Sequence, residues 1–273
     1  MTVLYKIIVK LLLAMPPFLQ NAVFNVVYPI YKVLHIHRAW GRVRNHLART
    51  GMDKRTSPRA VFKRLFENYL DSLRYLMRYP KTLQSIRFEN EEIIQKPLAE
   101  GMPIIAMSIH QGAFEMLHRI LTKYSSHVYL FTHSFKNKAL TEFLRNVRKT
   151  DGLEERDTDT VAHTLREFFK NKGILAMLVD QATEARGNEV QILGVPSTLF
   201  LRLPLQVLRM GGGIVTFRTF KTNKGHTIRF EHFYPPRSDE AQTEKSIANE
   251  ISLWISEHPS DWTWNYHRNF TTG

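Results

Sequence analysis

The sequence has no cysteine among its 273 residues. This excludes disulfide bonds, thiolate zinc sites and a cysteine nucleophile, and it fits a reducing compartment such as the cytoplasm. It also contains no P-loop and no G-x-G-x-x-G motif, which argues against a nucleotide-dependent enzyme. The glycine run 211–213 predicts only a turn before a strand.

A long uninterrupted apolar helix is missing as well. Residues 11–31 carry no formal charge, but Pro16, Pro17 and Pro29 interrupt them, whereas a membrane-spanning helix needs about 20 mostly apolar residues. A cleavable signal peptide fits poorly because no small-residue cleavage site follows the apolar run. Residues 1–34 therefore predict two short hydrophobic helices, hinged at the first two prolines, that lie on a membrane surface. A helical hairpin buried against the protein's own core is the alternative.

Acidic residues are scarce in one region. The net charge is +13, and the segment 32–81 holds thirteen Lys and Arg against three acids. Such a segment attracts polyanions, which include an anionic membrane surface and nucleic acid. Nucleic acid would explain the charge but not the apolar leader before it, so we expect a membrane partner and no nucleic acid. A merely solvated basic face is the alternative.

The rest of the chain predicts one α/β domain. Ser57 followed by Pro58 predicts the start of a helix. We expect residues 35–90 to form the basic helical part of the domain. From residue 100 onward, apolar runs of strand length alternate with helical segments: strands at 103–109, 127–134 and 173–179, and helices at 112–123, 138–150 and 158–171. Further strands at 189–195, 213–221 and 226–234 precede a helix at 239–258. This order predicts a central mixed, largely parallel sheet flanked by helices, with 100–273 as the catalytic core of a domain spanning 35–273.

The stretch SIHQGAFE, residues 108–115, contains the main candidate for chemistry. His110 follows an apolar run and therefore lies at the carboxyl end of a predicted strand, where ligands collect in α/β sheets. Glu115 follows five residues later and can reach the ring only if the histidine lies in the turn before the helix. In that arrangement His110 is a general base for a substrate hydroxyl and Glu115 orients it. A capped strand end followed by an ordinary helix is the alternative.

Four segments together resemble a known family. HQGAFE resembles the H-x4-D/E motif of the lysophospholipid acyltransferase-like superfamily, and more closely that of the bacterial lipid A biosynthesis (late) acyltransferases. The second segment resembles the family at Asn137 and Arg145. The third resembles it at the pair Asp180-Gln181, followed by Gly194 and Pro196. The fourth is the C-terminal motif, with Trp264, His267, Arg268 and Phe270. Their order holds from about residue 20 to the C-terminus. The chain departs from the family pattern at Leu193, where phenylalanine is usual, and at Asn269, where a second arginine is usual.

The resemblance implies transfer of an acyl chain from an acyl carrier protein or coenzyme A thioester to a hydroxyl of a membrane glycolipid. It implies His110 and Glu115 as catalytic residues, and no metal or resident cofactor. It implies binding of substrate by a larger set, namely Asn137, Arg145, Asp180, Gln181, Gly194 and Pro196. The expected place is the cytoplasmic face of a bacterial inner membrane. An acidic carrier protein would suit the basic surface.

Several alternatives remain open at this stage. A metal hydrolase has His110, Glu115 and His118 within nine residues, but HExxH spacing is absent. A non-catalytic basic membrane-binding module would explain residues 1–81 and leave HQGAFE unexplained. The acceptor is a lipid A precursor by the nearest resemblance, while a lysophospholipid, an amino-acid lipid or a mannosylated lipid fits the same residues. Asp180-Gln181 as a cap, Arg145 as a surface charge, and His267 and Arg268 as anchors of the tail are the structural alternatives.

Overall fold

The computed structural model describes residues 2–77, 84–132, 137–181, 187–223 and 225–266, with the backbone alone at 2–5 and 266. The helices in these ranges are α1 (Thr2–Ala14), α2 (Pro17–His35), α3 (Gly41–Arg49), α4 (Pro58–Leu76), α5 (Glu92–Ala99), α6 (Leu117–Ile120), α7 (Lys138–Arg148), α8 (Val161–Lys170), α9 (Arg202–Arg209) and α10 (Glu240–Glu257). The strands are β1 (Arg87–Glu89), β2 (Ile104–Ser108), β3 (Val128–Phe131), β4 (Leu153–Arg156), β5 (Ile174–Leu178), β6 (Asn188–Ile192), β7 (Val195–Leu199), β8 (Gly213–Thr222) and β9 (Gly225–Tyr234). Short 3-10 turns join several of them.

Seven of these strands form one sheet in the order β1-β9-β8-β2-β5-β3-β4. All neighbours are parallel except β8 and β9, which form an antiparallel hairpin. The predicted α/β fold with a mixed, mostly parallel sheet is therefore confirmed. β2 and β5 are adjacent and in register, with Ser108 opposite Leu178. Both strands are apolar because helices cover both faces of the sheet, and β2 is buried throughout.

Two predicted elements differ from the structure. The segment predicted as one strand at 189–195 is a separate antiparallel hairpin of β6 and β7, because Leu193 and Gly194 take positive φ angles of 53° and 75° and turn the chain. The predicted helix 112–123 begins as a 3-10 turn at Phe114–Met116 and is α-helical only over α6. Its first residues are instead held by contacts with the C-terminal part of the chain.

The helix starting after Ser57 is present as predicted. The side chain of Ser57 accepts a hydrogen bond from the amide of Ala60, and Pro58 is the first helical residue. Capping of this kind satisfies an amide that has no partner inside the helix. α4 then packs against the 3-10 turn that carries Glu115, so it forms one wall of the region around His110.

The two leader helices meet at Pro16 as the sequence predicts, but Pro29 does not end α2, which continues to His35. α1 packs against α4 and α7, and α2 packs against α4. Much of their outer surface is apolar and exposed, including Phe18 (69% exposed), Val33 (74%) and Leu34 (71%). Within the described residues, no helix combines the length and the apolarity that crossing a bilayer would require.

Candidate active site

His110 lies just past the carboxyl end of β2, where its ring is held by Asp180. The distance between His110 Nδ1 and Asp180 Oδ1 is 2.7 Å, and the backbone amide of His110 donates to both carboxylate oxygens at 3.0 Å. Because Ser108 and Leu178 are partners across β2 and β5, residues two positions later on each chain meet at the same edge. Both side chains are buried, at 8% and 2% exposure.

This arrangement defines which ring nitrogen is available for chemistry. A carboxylate only accepts hydrogen bonds, so the proton of the neutral imidazole lies on Nδ1 and the lone pair lies on Nε2. The same carboxylate stabilises the imidazolium that forms when Nε2 takes a proton. The ring of Phe114 packs edge-on against His110, with 4.8 Å between the ring centroids. His110 and Asp180 thus form a buried histidine–carboxylate pair.

Asp180 therefore makes the contact with the His110 ring that was predicted for Glu115. The carboxylate of Glu115 accepts hydrogen bonds from Arg148, from Nη2 at 2.8 Å and from Nε at 3.2 Å. The 3-10 turn at Phe114–Met116 directs Glu115 toward α7 instead of back to the ring. Asp180, which was expected among the substrate-binding residues, is buried, and both its carboxylate oxygens accept hydrogen bonds from the protein.

The half-buried carboxylate of Glu115 and the buried guanidinium of Arg148 form a second charged pair beside the histidine. Burial by itself raises the pKa of the Glu115 carboxyl, but Arg148, with smaller contributions from His118 and His110, outweighs burial and holds that pKa below its usual value. Burial, reinforced by the charge of Arg148, lowers the pKa of His118 to about 4, so its ring is neutral at pH 7. A carboxylate, a guanidinium and a neutral imidazole thus face one another next to the base.

One source of hydrogen bonds for an oxyanion is the backbone amides near Gly112, but two of these amides already have partners. The amide of Gln111 donates to Ile109 O at 2.8 Å, and that of Gly112 donates to Asp261 O at 3.0 Å. Gly112 has a φ of +60°, and a Cβ there would lie 2.5 Å from the carbonyl oxygen of Thr219, so only glycine fits this turn. A basic side chain is the other source, and Arg148 is the buried cation at this position.

The remaining predicted binding residues have mainly structural contacts. Asn137 caps α7 by accepting from the amide of Leu140. Arg145 is 46% exposed and pairs at the surface with Asp157 at 3.4 Å. Gln181 is exposed directly after Asp180, while Gly194 and Pro196 belong to the β6–β7 hairpin. In the C-terminal motif, Trp264 is fully buried and its indole donates to Pro259 O. The other three residues of that motif, His267, Arg268 and Phe270, lie outside the described residues.

Two residues at the site were not predicted. Arg148 is three residues beyond Arg145 on the same helix, and only its burial distinguishes the two. Trp262 donates from its indole nitrogen to Asp180 Oδ2 at 2.8 Å. The sequence signal that was available is the pairing of two tryptophans in DWTW, of which only the second was considered. In the described part of the chain, no three His, Asp or Glu side chains cluster closely enough to hold a metal ion.

An α/β sheet with a buried histidine–carboxylate pair at the carboxyl edge of its central strands is suited to proton transfer in hydrolysis or group transfer. The family of bacterial lipid A biosynthesis acyltransferases matches the chain over residues 1–272. The protein belongs to this family and is an acyltransferase of the kind that moves groups other than aminoacyl groups. No curated protein matches the sequence.

Proposed function

We propose that this acyltransferase moves a fatty acyl chain from an acyl carrier protein or coenzyme A thioester to a hydroxyl of a glycolipid, with a lipid A precursor as the first candidate acceptor. The observation that carries the catalytic part of this proposal is the buried contact of 2.7 Å between His110 Nδ1 and Asp180 Oδ1. It leaves Nε2 as the basic atom, and the family supports acyl transfer to a glycolipid. No metal or resident cofactor is needed for this reaction.

The reaction follows from these groups in three steps. The acceptor hydroxyl gives its proton to His110 Nε2 while its oxygen attacks the thioester carbonyl carbon, and the charge of Asp180 stabilises the imidazolium. The carbonyl oxygen becomes an oxyanion, for which Arg148 is the buried cation. The intermediate then collapses, the C–S bond breaks, and the imidazolium returns the proton to the leaving sulfur. An ester and a free thiol result.

Glu115 has an indirect role in this mechanism. Its carboxylate fixes the guanidinium of Arg148 through two hydrogen bonds, and its negative charge interacts with His110. Planar two-point pairing of this kind holds a guanidinium in one orientation. Glu115 is therefore proposed as the group that positions Arg148, and the H-x4-E spacing is explained without direct contact between its two ends.

We propose further that the leader helices place the enzyme on the cytoplasmic face of the bacterial inner membrane. Apolar side chains of α1 and α2 are exposed to solvent, and exposed cations follow directly in the chain, including Arg38, Arg44 and Arg49. Apolar surface rimmed by cations is suited to an anionic bilayer surface. The acceptor is a membrane lipid, so a surface-bound enzyme meets it without extracting it into water.

The test is an acyl-transfer assay in mixed micelles with acyl carrier protein and coenzyme A thioesters and a panel of lipid acceptors. His110→Ala is expected to lower the transfer rate by about 10²- to 10⁴-fold, the usual contribution of a general base. His163→Ala is the matched control, because His163 is exposed on α8 and pairs with Glu167 at the surface. Equal rates for wild type and His110→Ala would refute the mechanism, and transfer only to an acceptor without sugar would refute the glycolipid assignment.

A further inference from the structure

The C-terminal segment 261–263 is bound to the turn that carries His110. The amide of Gly112 donates to the carbonyl of Asp261, and the amide and hydroxyl of Thr263 both donate to the carbonyl of His110, at 2.9 and 2.8 Å. Trp262 lies between them in the chain and forms a bridge to Gln111. The turn is therefore fixed from one side by three consecutive residues that lie about 150 positions away in the sequence.

The side chain of the middle residue of this segment reaches the carboxylate behind the histidine. Trp262 Nε1 donates to Asp180 Oδ2 at 2.8 Å, while Asp180 Oδ1 lies 2.7 Å from His110 Nδ1. Trp262 and Asp180 are each 2% exposed. One carboxylate oxygen is thus engaged by the indole and the other by the ring of the base, so rotation of the carboxylate would break both contacts.

We infer that Trp262 is a positioning residue for acyl transfer, acting through Asp180 on the orientation and proton affinity of His110. The inference rests on the proposed function of His110 as the base. The indole takes up part of the negative charge of the carboxylate through its hydrogen bond and keeps Oδ1 directed at Nδ1. Trp262 itself is buried behind the base and has no role in binding substrate.

The basic helices anchor this segment. Arg64 Nε and Asn68 Nδ2 contact Asp261 Oδ1 at 3.1 and 3.3 Å. His46 on α3 lies with its Nδ1 3.1 Å from the carbonyl oxygen of Trp264, and Arg42 donates to the carbonyl of Asn265 at 2.7 Å. Part of the basic segment therefore holds residues 261–265 in place.

The experiment compares Trp262→Phe with Trp264→Phe in the full-length enzyme. Both substitutions keep an aromatic ring and remove one indole N–H, but the indole of Trp264 donates to the carbonyl of Pro259 and not to Asp180, while its ring packs edge-on against that of Trp262. Trp262→Phe is expected to lower kcat about 10- to 100-fold with KM unchanged, because without the indole the carboxylate of Asp180 no longer keeps Oδ1 directed at His110 Nδ1. Trp264→Phe is expected to keep kcat within about threefold of wild type per folded molecule.

A pH profile separates positioning from a loss of folding. Among the described residues, the titratable and charged groups near the His110 ring include Asp180, which bonds Nδ1, and Glu115, with Arg148 and the neutral ring of His118 facing Glu115. Without the indole donor, the carboxylate concentrates more negative charge against the ring and favours the imidazolium. The acid limb of the kcat/KM profile is therefore expected to move to higher pH in Trp262→Phe and to stay in place in Trp264→Phe. Identical profiles for both variants and wild type would overturn the inference.

A measurement on the unaltered enzyme covers the case in which Trp262→Phe fails to fold. The chain has four tryptophans, so their indole N–H signals are few enough to follow by NMR as pH changes. The signal of Trp262, identified as the one altered by Asp180→Asn, is expected to shift over the pH range in which activity is gained. A Trp262 signal that does not change with pH would contradict the inference even if His110 proves to be the base.

Discussion

The region around His110 buries charged and polar side chains, whereas the two leader helices expose apolar side chains. At the site, a charged and polar set is buried and each carboxylate is bonded to a cation, an imidazole or an indole. In the described part of the chain, eleven of the thirteen exposed large apolar side chains lie between Ile7 and Ile36. A soluble protein normally does the reverse in both places, since buried charge and exposed apolar surface both cost free energy.

The difference indicates that two separate requirements shaped the molecule. Burial at the site excludes water and strengthens the electrostatic effects on which proton transfer depends. Exposure in the leader leaves apolar area for an environment other than water, which we propose is the bilayer that contains the acceptor. The three predictions that follow test each region against a matched control.

The largest effect is expected for the buried charge pair. Glu115→Gln removes the nearer carboxylate partner of Arg148, which is 8% exposed, and leaves the more distant one of Glu155, 4.0 Å from Nη1, so the free energy of unfolding should fall by about 3 kcal/mol. Arg145→Gln breaks an exposed pair on the same helix and should cost less than about 1 kcal/mol. Urea unfolding followed by circular dichroism measures both, and equal costs would mean that the burial of Arg148 has no energetic consequence.

The second largest effect is expected for the two leader helices, and it concerns binding to membranes instead of stability. Replacing Val27, Val33 and Leu34 by serine removes exposed apolar groups that would otherwise enter the bilayer, at about 0.8 kcal/mol per methylene. Affinity for anionic vesicles, measured by sedimentation, should fall by about two orders of magnitude or more. Leu253→Ser is the control, because Leu253 is a similarly exposed apolar residue on α10 (54%). A loss of affinity no larger than that of the control would refute the membrane role of the leader.

The smallest effect concerns pH and the histidine beside the charge pair. His118 has a pKa of about 4 in the folded protein, lowered by burial, whereas the unfolded chain has an ordinary value near 6.5. Between these two values the unfolded state binds the extra proton, so stability should fall as pH drops from about 6.5 to 4. His118→Gln should reduce this slope in urea titrations, and His163→Gln, at an exposed position, should not. An unchanged slope in His118→Gln would contradict the assignment.

Much of the fold could be predicted from the sequence because its strands are strong local signals. The runs at 103–109 and 173–179 became β2 and β5 with ends shifted by one residue. The polar strand β4 was missed because it is an edge strand, which needs little apolar character. The β6–β7 hairpin was missed because its turn depends on a positive φ at Leu193, a residue that rarely adopts one.

The sequence predicted the residues of the site better than the contacts between them. His110 was expected at the carboxyl edge of the sheet and Asp180 among the substrate-binding residues, but their contact depends on β2 and β5 being neighbours, which no local pattern reveals. Glu115 was assigned to His110 because they are close in sequence, and the 3-10 turn instead directs it to Arg148. The contact of Trp262 with Asp180 could not be predicted, because it forms only when the C-terminal segment folds back onto a distant part of the sequence. Such non-local contacts leave no periodic signal in the chain.

The central claim is that Asp180, behind His110, makes the histidine a general base for acyl transfer. The most direct measurement is the single-turnover rate of transfer by Asp180→Asn at saturating donor and acceptor, with folding verified by circular dichroism. Our account predicts a fall of about 10²- to 10⁴-fold, because the amide neither stabilises the imidazolium nor holds the tautomer with its lone pair on Nε2. A folded Asp180→Asn enzyme that transfers acyl chains within about threefold of the wild-type rate would contradict it.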